Sequence, residues 1–325
     1  MTRTSPIIIA HRGASGYLPE HTLAAKALAH GMGAQFLEQD VVLSRDGVPI
    51  VLHDIHLDST TDVALRFPGR ARTDGRYYAI DFDLQEIRRL RVHERTHLDA
   101  NGQGTAFFPE RFPAQQALFH LPTLSEEIAL LCGLDRSRGC RTGLYIELKS
   151  PNWHRREGLD LAAAVIEVLN QTGYWNLPEQ VFLQCFDDQT LRQLRERLRA
   201  PLPMIQLIGE NSWGEDSEVD YDYLRTPEGL SYIASYAQGI GPFLPHIYLG
   251  KKASGSAHLS ELVDSAHARG LQVHPYTFRR DELPENVENF EELLDIFIHQ
   301  AGIDGLFTDF PDIVVNYLRA REDAI

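Results

Sequence analysis

Glu38 and Asp40 stand two residues apart in the apolar run QFLEQDVVL that begins at Gln35, and a third acid, Glu147, sits in GLYIELK from Gly143. Alternate residues of a strand share a face, so Glu38 and Asp40 point the same way, as do Glu147 and Lys149. Two acids on one inward face of an otherwise apolar strand are costly unless a cation neutralises them. Three carboxylates drawn from two strands form a hard oxygen site suited to Ca²⁺ or Mg²⁺, and no thiolate accompanies them to favour a softer metal. Exposed acids on a half-solvated strand would be spelled the same way.

Two histidines accompany these acids. His11 ends the run IIIAH from Ile7 and is followed by Arg12 and Gly13, which sets an imidazole and a guanidinium at a strand end, where the glycine lets the backbone turn. A surface His-Arg pair is the plain alternative. His53-Asp54 closes PIVLHD from Pro49. A histidine beside an acid can be a metal ligand, a general acid or a hydrogen-bonded structural imidazole, and spacing does not choose among them.

These residues lie at or near the ends of short segments rich in β-branched and aromatic side chains. Further segments of the kind are VFLQCF from Val181, PMIQLI from Pro203, GIGPFL from Gly239, LQVHPYTF from Leu271 and GLFTDF from Gly305. Between several of them run helical patterns over 22–32, 161–172, 258–269 and 290–301, each followed by a glycine (Gly33, Gly173, Gly270, Gly302). Helix, glycine and strand in repetition predict βα units around a parallel sheet. Nine strands are one too many for an eight-stranded barrel, but the second and third are joined only by Ser44-Arg45-Asp46-Gly47, too short for a parallel crossover. They must form an antiparallel hairpin, which leaves eight. With Asp46-Gly47 as a two-residue turn, positions pair when their numbers sum to 93, setting His53 opposite Asp40 and on the face of Glu38.

From His53 to Glu147 the chain runs 94 residues, about three times the roughly 31 of a plain βα unit. The stretch at about 55–119 therefore reads as an insertion that caps the mouth of a single barrel domain spanning 1–325. The net charge of −15 excludes nucleic-acid binding through phosphate neutralisation. Hydrophobic residues at 43% and charged residues at 24% describe a globular chain, not a disordered one. Cys132, Cys140 and Cys185 have no CxxC spacing and read as core thiols. No apolar run approaches the roughly 18 residues of a membrane span. The polar start shows no secretory leader, so the expectation is a cytoplasmic protein if Met1 is the native start, or a periplasmic one if a leader was trimmed.

Taken in order, IIIAHRGASGYLPEHTLAAKALAHG, EQDVVLSRDGVPIVLHD, DGRYYAIDF, YIELK, VFLQCF, HPYT and GLFTDFPD resemble the glycerophosphodiester phosphodiesterase family, and its bacterial periplasmic branch in particular, including the PEHT form of the segment at Glu20-His21-Thr22. The resemblance covers nearly the whole chain. It implies a TIM barrel that hydrolyses glycerophosphodiesters to sn-glycerol 3-phosphate and an alcohol, with one divalent cation, Ca²⁺ favoured over Mg²⁺. It makes Glu38, Asp40 and Glu147 the metal ligands and His11 and His53 the acid/base pair. Arg12 and Lys149 then bind the phosphate, and Tyr276 and Phe310 fall where the family places aromatics near glycerol, although a core position suits Phe310 better. His274 is expected to be a buried, hydrogen-bonded imidazole, Gln184 to point into the top of the barrel, and Glu20 to approach the metal or a histidine, or else to be an acid at a helix N-terminus. The competing readings are a related barrel phospholipase acting on lysophospholipids and a non-catalytic barrel that captures glycerophosphodiesters.

Overall fold

The computed structural model describes residues 5–98 and 104–322. Residues 99–103 of the expected insertion and the first four residues lie outside that range. In chain order the strands are β1 (Ile7–Ala10), β2 (Phe36–Leu43), β3 (Pro49–Val51), β4 (Thr96–Leu98), β5 (Gly104–Ala106), β6 (Gly143–Leu148), β7 (Val181–Cys185), β8 (Met204–Ile208), β9 (Gly239–Pro242), β10 (Tyr248–Lys251), β11 (Ala257–Leu259), β12 (Gln272–Val273) and β13 (Gly305–Thr308). Eight of them form one parallel sheet in the order β12-β9-β8-β7-β6-β2-β1-β13. The ends meet through backbone bonds from Asp304 N–H to Val273 O (3.0 Å) and from Phe278 N–H to Phe307 O (2.8 Å). The sheet thus closes as an eight-stranded TIM barrel.

A closed barrel divides each strand's side chains between its interior and the helices outside. Ile9, Tyr145, Ile205 and Phe307 form an inner apolar plug, with Ile7, Phe36, Phe182 and Tyr276 packed against it. Leu37, Val41, Leu144 and Leu148 face outward into the core shared with the helices. Two residues beyond a plug residue the chain returns to the interior, one layer nearer the C-terminal mouth. Ile9 leads to His11, Phe36 to Glu38, Tyr145 to Glu147, Phe182 to Gln184 and Phe307 to Asp309.

The hairpin of β2 and β3 forms, but in a different register from the one expected. Val41 pairs with Val51 and Leu43 with Pro49, and Ser44 N–H bonds Val48 O at 3.1 Å, so Arg45-Asp46-Gly47 is a three-residue turn with Gly47 at φ +76°. Three-residue hairpin turns place a left-handed glycine last, and the extra residue shifts pairing by one. Leu52, not His53, lies opposite Asp40. His53 reaches the barrel mouth because the chain leaves the ladder after Leu52, whose N–H still bonds Asp40 O at 2.9 Å.

Helices Leu23–Met32 and Leu161–Thr172 end at Gly33 (φ +93°) and Gly173 (φ +84°) as the sequence predicts. The pattern at 258–269 is shorter than expected: His258 belongs to β11, which pairs with β10, and the helix is Leu262–His267. Of the cysteines only Cys185 is buried; Cys132 and Cys140 are exposed, because they lie on and just past the outer side of helix Leu124–Arg138.

Residues 55–98 and 104–119 fold into short elements with their own apolar cluster of Leu57, Val63, Phe67, Phe82, Ile87, Leu90 and Val92, seated on Val42 and Ile50 of the hairpin. Val42 and Ile50 face each other across the ladder and are wholly buried. At about 1.5–3 kcal/mol for each fully buried side chain of this size, that contact anchors the insertion on the barrel.

Candidate active site

Glu38, Asp40 and Glu147 meet at the barrel mouth, each offering a carboxylate oxygen within 4.8 Å of the others, and all three are buried. Arg12 N–H (2.9 Å) and Gln184 Nε2 (2.9 Å) donate to Glu38, and the His21 ring lies 2.7 Å from Asp40 Oδ2. The site remains short of positive charge. Burial, then Asp40 and Glu147, push the Glu38 carboxyl well above its usual range, and burial raises Glu147 to about 8 against the pull of Lys149. Asp40 stays well below its usual value despite burial, because His21, His53 and Lys149 hold its charge. Its Oδ1 is buried without a hydrogen-bond partner among the described residues. An orphaned oxygen in a ring of hard oxygen donors fits a divalent cation.

The backbone at this point is shaped to bring Arg12 inward. Arg12 itself has φ +57° and Gly13 φ +90°, and a Cβ on Gly13 would come within 2.9 Å of the Ala25 carbonyl carbon. This turn aims the Arg12 N–H at Glu38 and lets its guanidinium contact Glu20 at 3.1 Å.

Both imidazoles are braced by carboxylates. His11 Nδ1 lies 2.6 Å from Asp309 Oδ1, and His53 Nδ1 lies 2.6 Å from Asp54 Oδ1. With Nδ1 engaged, Nε2 is left for the cavity: that of His11 is 3.8 Å from Glu38 and that of His53 is 3.4 Å from Lys149 Nζ. Burial and the neighbouring Arg12 lower His11 to about 4 and, with Lys149, His53 to about 3. Lys149 Nζ also pairs with Glu147 at 2.7 Å.

Two arms of the insertion reach these residues. Arg95 contacts Glu20 at 2.7 Å and Asp54 at 2.8 Å, and Arg111 contacts Asp309 at 2.8 Å and Asp281 at 2.8 Å. Arg279 joins Asp309 at 2.8 Å. A cavity of about 470 Å³ opens over the site, lined by Phe186, Leu207, Trp213, Phe243 and Tyr276 beside the residues already named.

The structure brings His11, Arg12, Glu38, Asp40, His53, Glu147, Lys149 and Tyr276 onto this one cavity. Gln184 does point into the barrel, and His274 is buried with Nδ1 2.8 Å from the Tyr145 hydroxyl. Phe310 lies in the core beside Tyr17, edge to face at 5.4 Å, and does not line the cavity. Glu20 lies before the helix that Thr22 caps, and its carboxylate holds Arg12 and Arg95 and is not part of the Glu38, Asp40 and Glu147 cluster. Sequence reasoning missed the parts played by Asp309, Arg95, Arg111 and Arg279. For Asp309 a signal existed, an acid just past the last strand, whereas the arginines carry no local mark.

A closed parallel barrel with a carboxylate cluster, two braced imidazoles and two cations at its C-terminal mouth is laid out as a TIM-barrel hydrolase of anionic esters. The profile of the Glycerophosphoryl diester phosphodiesterase family matches residues 11–313. The chain is 38% identical to the glycerophosphodiester phosphodiesterase of Haemophilus influenzae over 98% of its own length and 91% of the relative's. It is 35% identical to that of Treponema pallidum, covering 96% and 91%. Among solved structures, a Silicibacter pomeroyi protein superposes with a TM-score of 0.71 at 26% identity, over 98% of this chain and 94% of the other. An Oleispira antarctica phosphodiesterase in complex with the product sn-glycerol-3-phosphate shares the fold, with a TM-score of 0.64 at 23% identity and 97% of each chain covered. The chain belongs to the glycerophosphoryl diester phosphodiesterase family. It is a phosphoric diester hydrolase acting on glycerophosphodiesters.

Proposed function

We propose that this enzyme cleaves glycerophosphodiesters such as glycerophosphocholine and glycerophosphoethanolamine to sn-glycerol 3-phosphate and the free alcohol, with His11 and His53 as its acid/base pair. The observation that carries the reading is the pair of carboxylate-braced imidazoles converging on one cavity with Arg12 and Lys149. Glu38, Asp40 and Glu147 would hold a divalent cation, Ca²⁺ in preference to Mg²⁺ because it accepts irregular oxygen cages, and when bound it supplies fixed positive charge against the phosphoryl oxygens.

A phosphodiester anion repels nucleophiles, so Arg12 and Lys149 offset its charge as the phosphorus centre gains a fifth ligand. One neutral imidazole takes the proton of the glycerol 2-hydroxyl as that oxygen bonds to phosphorus. The bond to the headgroup oxygen breaks, and the other histidine, which takes up a proton from solvent as the anionic diester binds beside it, gives that proton to the departing alcohol. A cyclic phosphate results. Water opens it with the histidine roles reversed, which restores both protonation states. Asp309 and Asp54 keep each ring oriented and stabilise the imidazolium when it forms.

Phe186, Phe243 and Tyr276 supply an apolar wall against which the glycerol carbons pack. The whole chain, insertion included, acts as one unit, since the insertion supplies the arginines that hold Asp54 and Asp309. The test is release of glycerol 3-phosphate from glycerophosphocholine with and without a chelator, beside His11→Ala and Glu147→Gln. The expected result is turnover that needs the metal and both side chains; a well-folded, metal-supplied protein that binds the diester without cleaving it would establish a capture protein instead.

A further inference from the structure

A second cavity of about 200 Å³ lies beside the larger one, on the side of the insertion. The two share His11, Arg12, His53, Arg279 and Glu282 in their walls and otherwise differ. They are two lobes meeting where the phosphate would sit. In-line displacement puts the attacking and leaving oxygens on opposite sides of phosphorus, so glycerol and headgroup need separate compartments. The larger lobe has the aromatic wall assigned above to glycerol, which leaves the smaller lobe for the leaving alcohol.

The charged groups of that lobe are nearly all committed. Arg95 is held by Glu20 and Asp54, Arg111 by Asp281 and Asp309, and Arg279 by Asp309 and by Glu282 at 2.6 Å. Glu94 is the exception. It lines the lobe at only 3% exposure, pairs with no cation, and its Oε2 has no hydrogen-bond partner among the described residues. Burial, then the nearby Glu20 charge, raise its carboxyl to about 8 against the pull of Arg111 and of the Arg95 backbone N–H, the behaviour of a buried acid whose charge is only partly offset.

We propose that Glu94 is a specificity residue that receives the primary ammonium of the headgroup, so that the enzyme favours glycerophosphodiesters of amino alcohols such as ethanolamine. An ammonium donates N–H to the unpartnered oxygen and brings the charge a buried carboxylate lacks. A neutral polyol headgroup brings no charge, and the quaternary nitrogen of choline has no N–H to give.

The inference rests on the hydrolase reading, and its test separates the two. Steady-state kinetics on glycerophosphoethanolamine, glycerophosphocholine and glycerophosphoglycerol are compared for the wild type and Glu94→Gln, whose near-identical shape is checked by its melting curve. The variant should lose about tenfold or more in kcat/KM on the ethanolamine diester, chiefly through KM, and change less than about twofold on glycerophosphoglycerol. An equal loss on all three diesters, or no loss on any, would overturn the assignment. Calorimetric binding of the same diesters to His11→Ala, with and without Glu94→Gln, decides the point independently of turnover. If the wild type releases glycerol 3-phosphate from no diester the hydrolase reading fails, while a preference for the ammonium ligand that vanishes with Glu94→Gln would still support the subsite.

Discussion

Asp309 Oδ1 stands 2.6 Å from His11 Nδ1 across 298 residues of chain, because β13 and β1 are neighbours in the closed barrel and both residues stand just past their strand ends. Arg111 and Arg279 grip the other oxygen of the same carboxylate, each at 2.8 Å. The imidazole is therefore oriented by a group that is itself fixed. Asp309→Asn should leave the fold and KM nearly unchanged while lowering kcat by roughly 10²–10⁴-fold, since an amide can no longer select the ring tautomer or stabilise its cation. Equal changes in KM and kcat would mean that Asp309 serves structure alone.

The carboxylate cluster is a liability without its cation. Buried like charges repel, so in a chelator the Glu147→Gln variant should melt above the wild type, although it is inactive. Added Ca²⁺ should raise the melting temperature of the wild type and restore turnover that chelation had reduced by roughly 10²-fold or more, and should do neither for the variant. A wild-type melting temperature indifferent to both Ca²⁺ and Mg²⁺ would count against a metal centre.

Arg95 is the clasp between insertion and barrel, and Glu20 and Asp54 both lie well below their ordinary values because its guanidinium, with Arg12 beside Glu20, outweighs burial. Their folded-state values are depressed, so the stabilisation is complete above the unfolded values of about 4.3 and 3.9 and is lost only as pH falls through the lower folded ones. The share of the insertion's docking that Glu20 and Asp54 supply should thus be constant from about pH 8 to 5, so Arg95→Gln should lower resistance to limited proteolysis by the same factor throughout that range. Arg95→Gln should cost roughly 3 kcal/mol of docking at neutral pH by removing the cation that two buried acids share, Glu20 keeping only Arg12 and Asp54 only its neutral partners His53 and Ser59. It should expose cleavage sites within 55–98 before the barrel unfolds.

Gly13 tests the shaped backbone beneath Arg12. Gly13→Ala meets both a left-handed φ and the Ala25 backbone at 2.9 Å, so a loss of roughly 1–3 kcal/mol in stability is expected, with a larger fall in kcat/KM than in stability as Arg12 is displaced. Gly31→Ala, at a helical position with open space around it, is the control and should be silent in activity.

Much of this arrangement was legible in the order of residues. Strand alternation places Glu38 with Asp40 and Glu147 with Lys149, glycine stops mark the helix ends, and the counting of segments leads to eight βα strands with a hairpin, because these are local periodicities of the backbone. The hairpin register was not legible, since two- and three-residue turns share the same Asp-Gly letters and only the pairing of Val41 with Val51 distinguishes them. Nor was the bracing of His11 by Asp309 through β13, or the reach of Arg95 and Arg111 from the insertion. Those contacts join positions far apart in the chain, and what brings them together is closure of the barrel and packing of the insertion on Val42 and Ile50. Local sequence decides which face a side chain takes, whereas its partner is decided only when distant segments bury their apolar surfaces against one another.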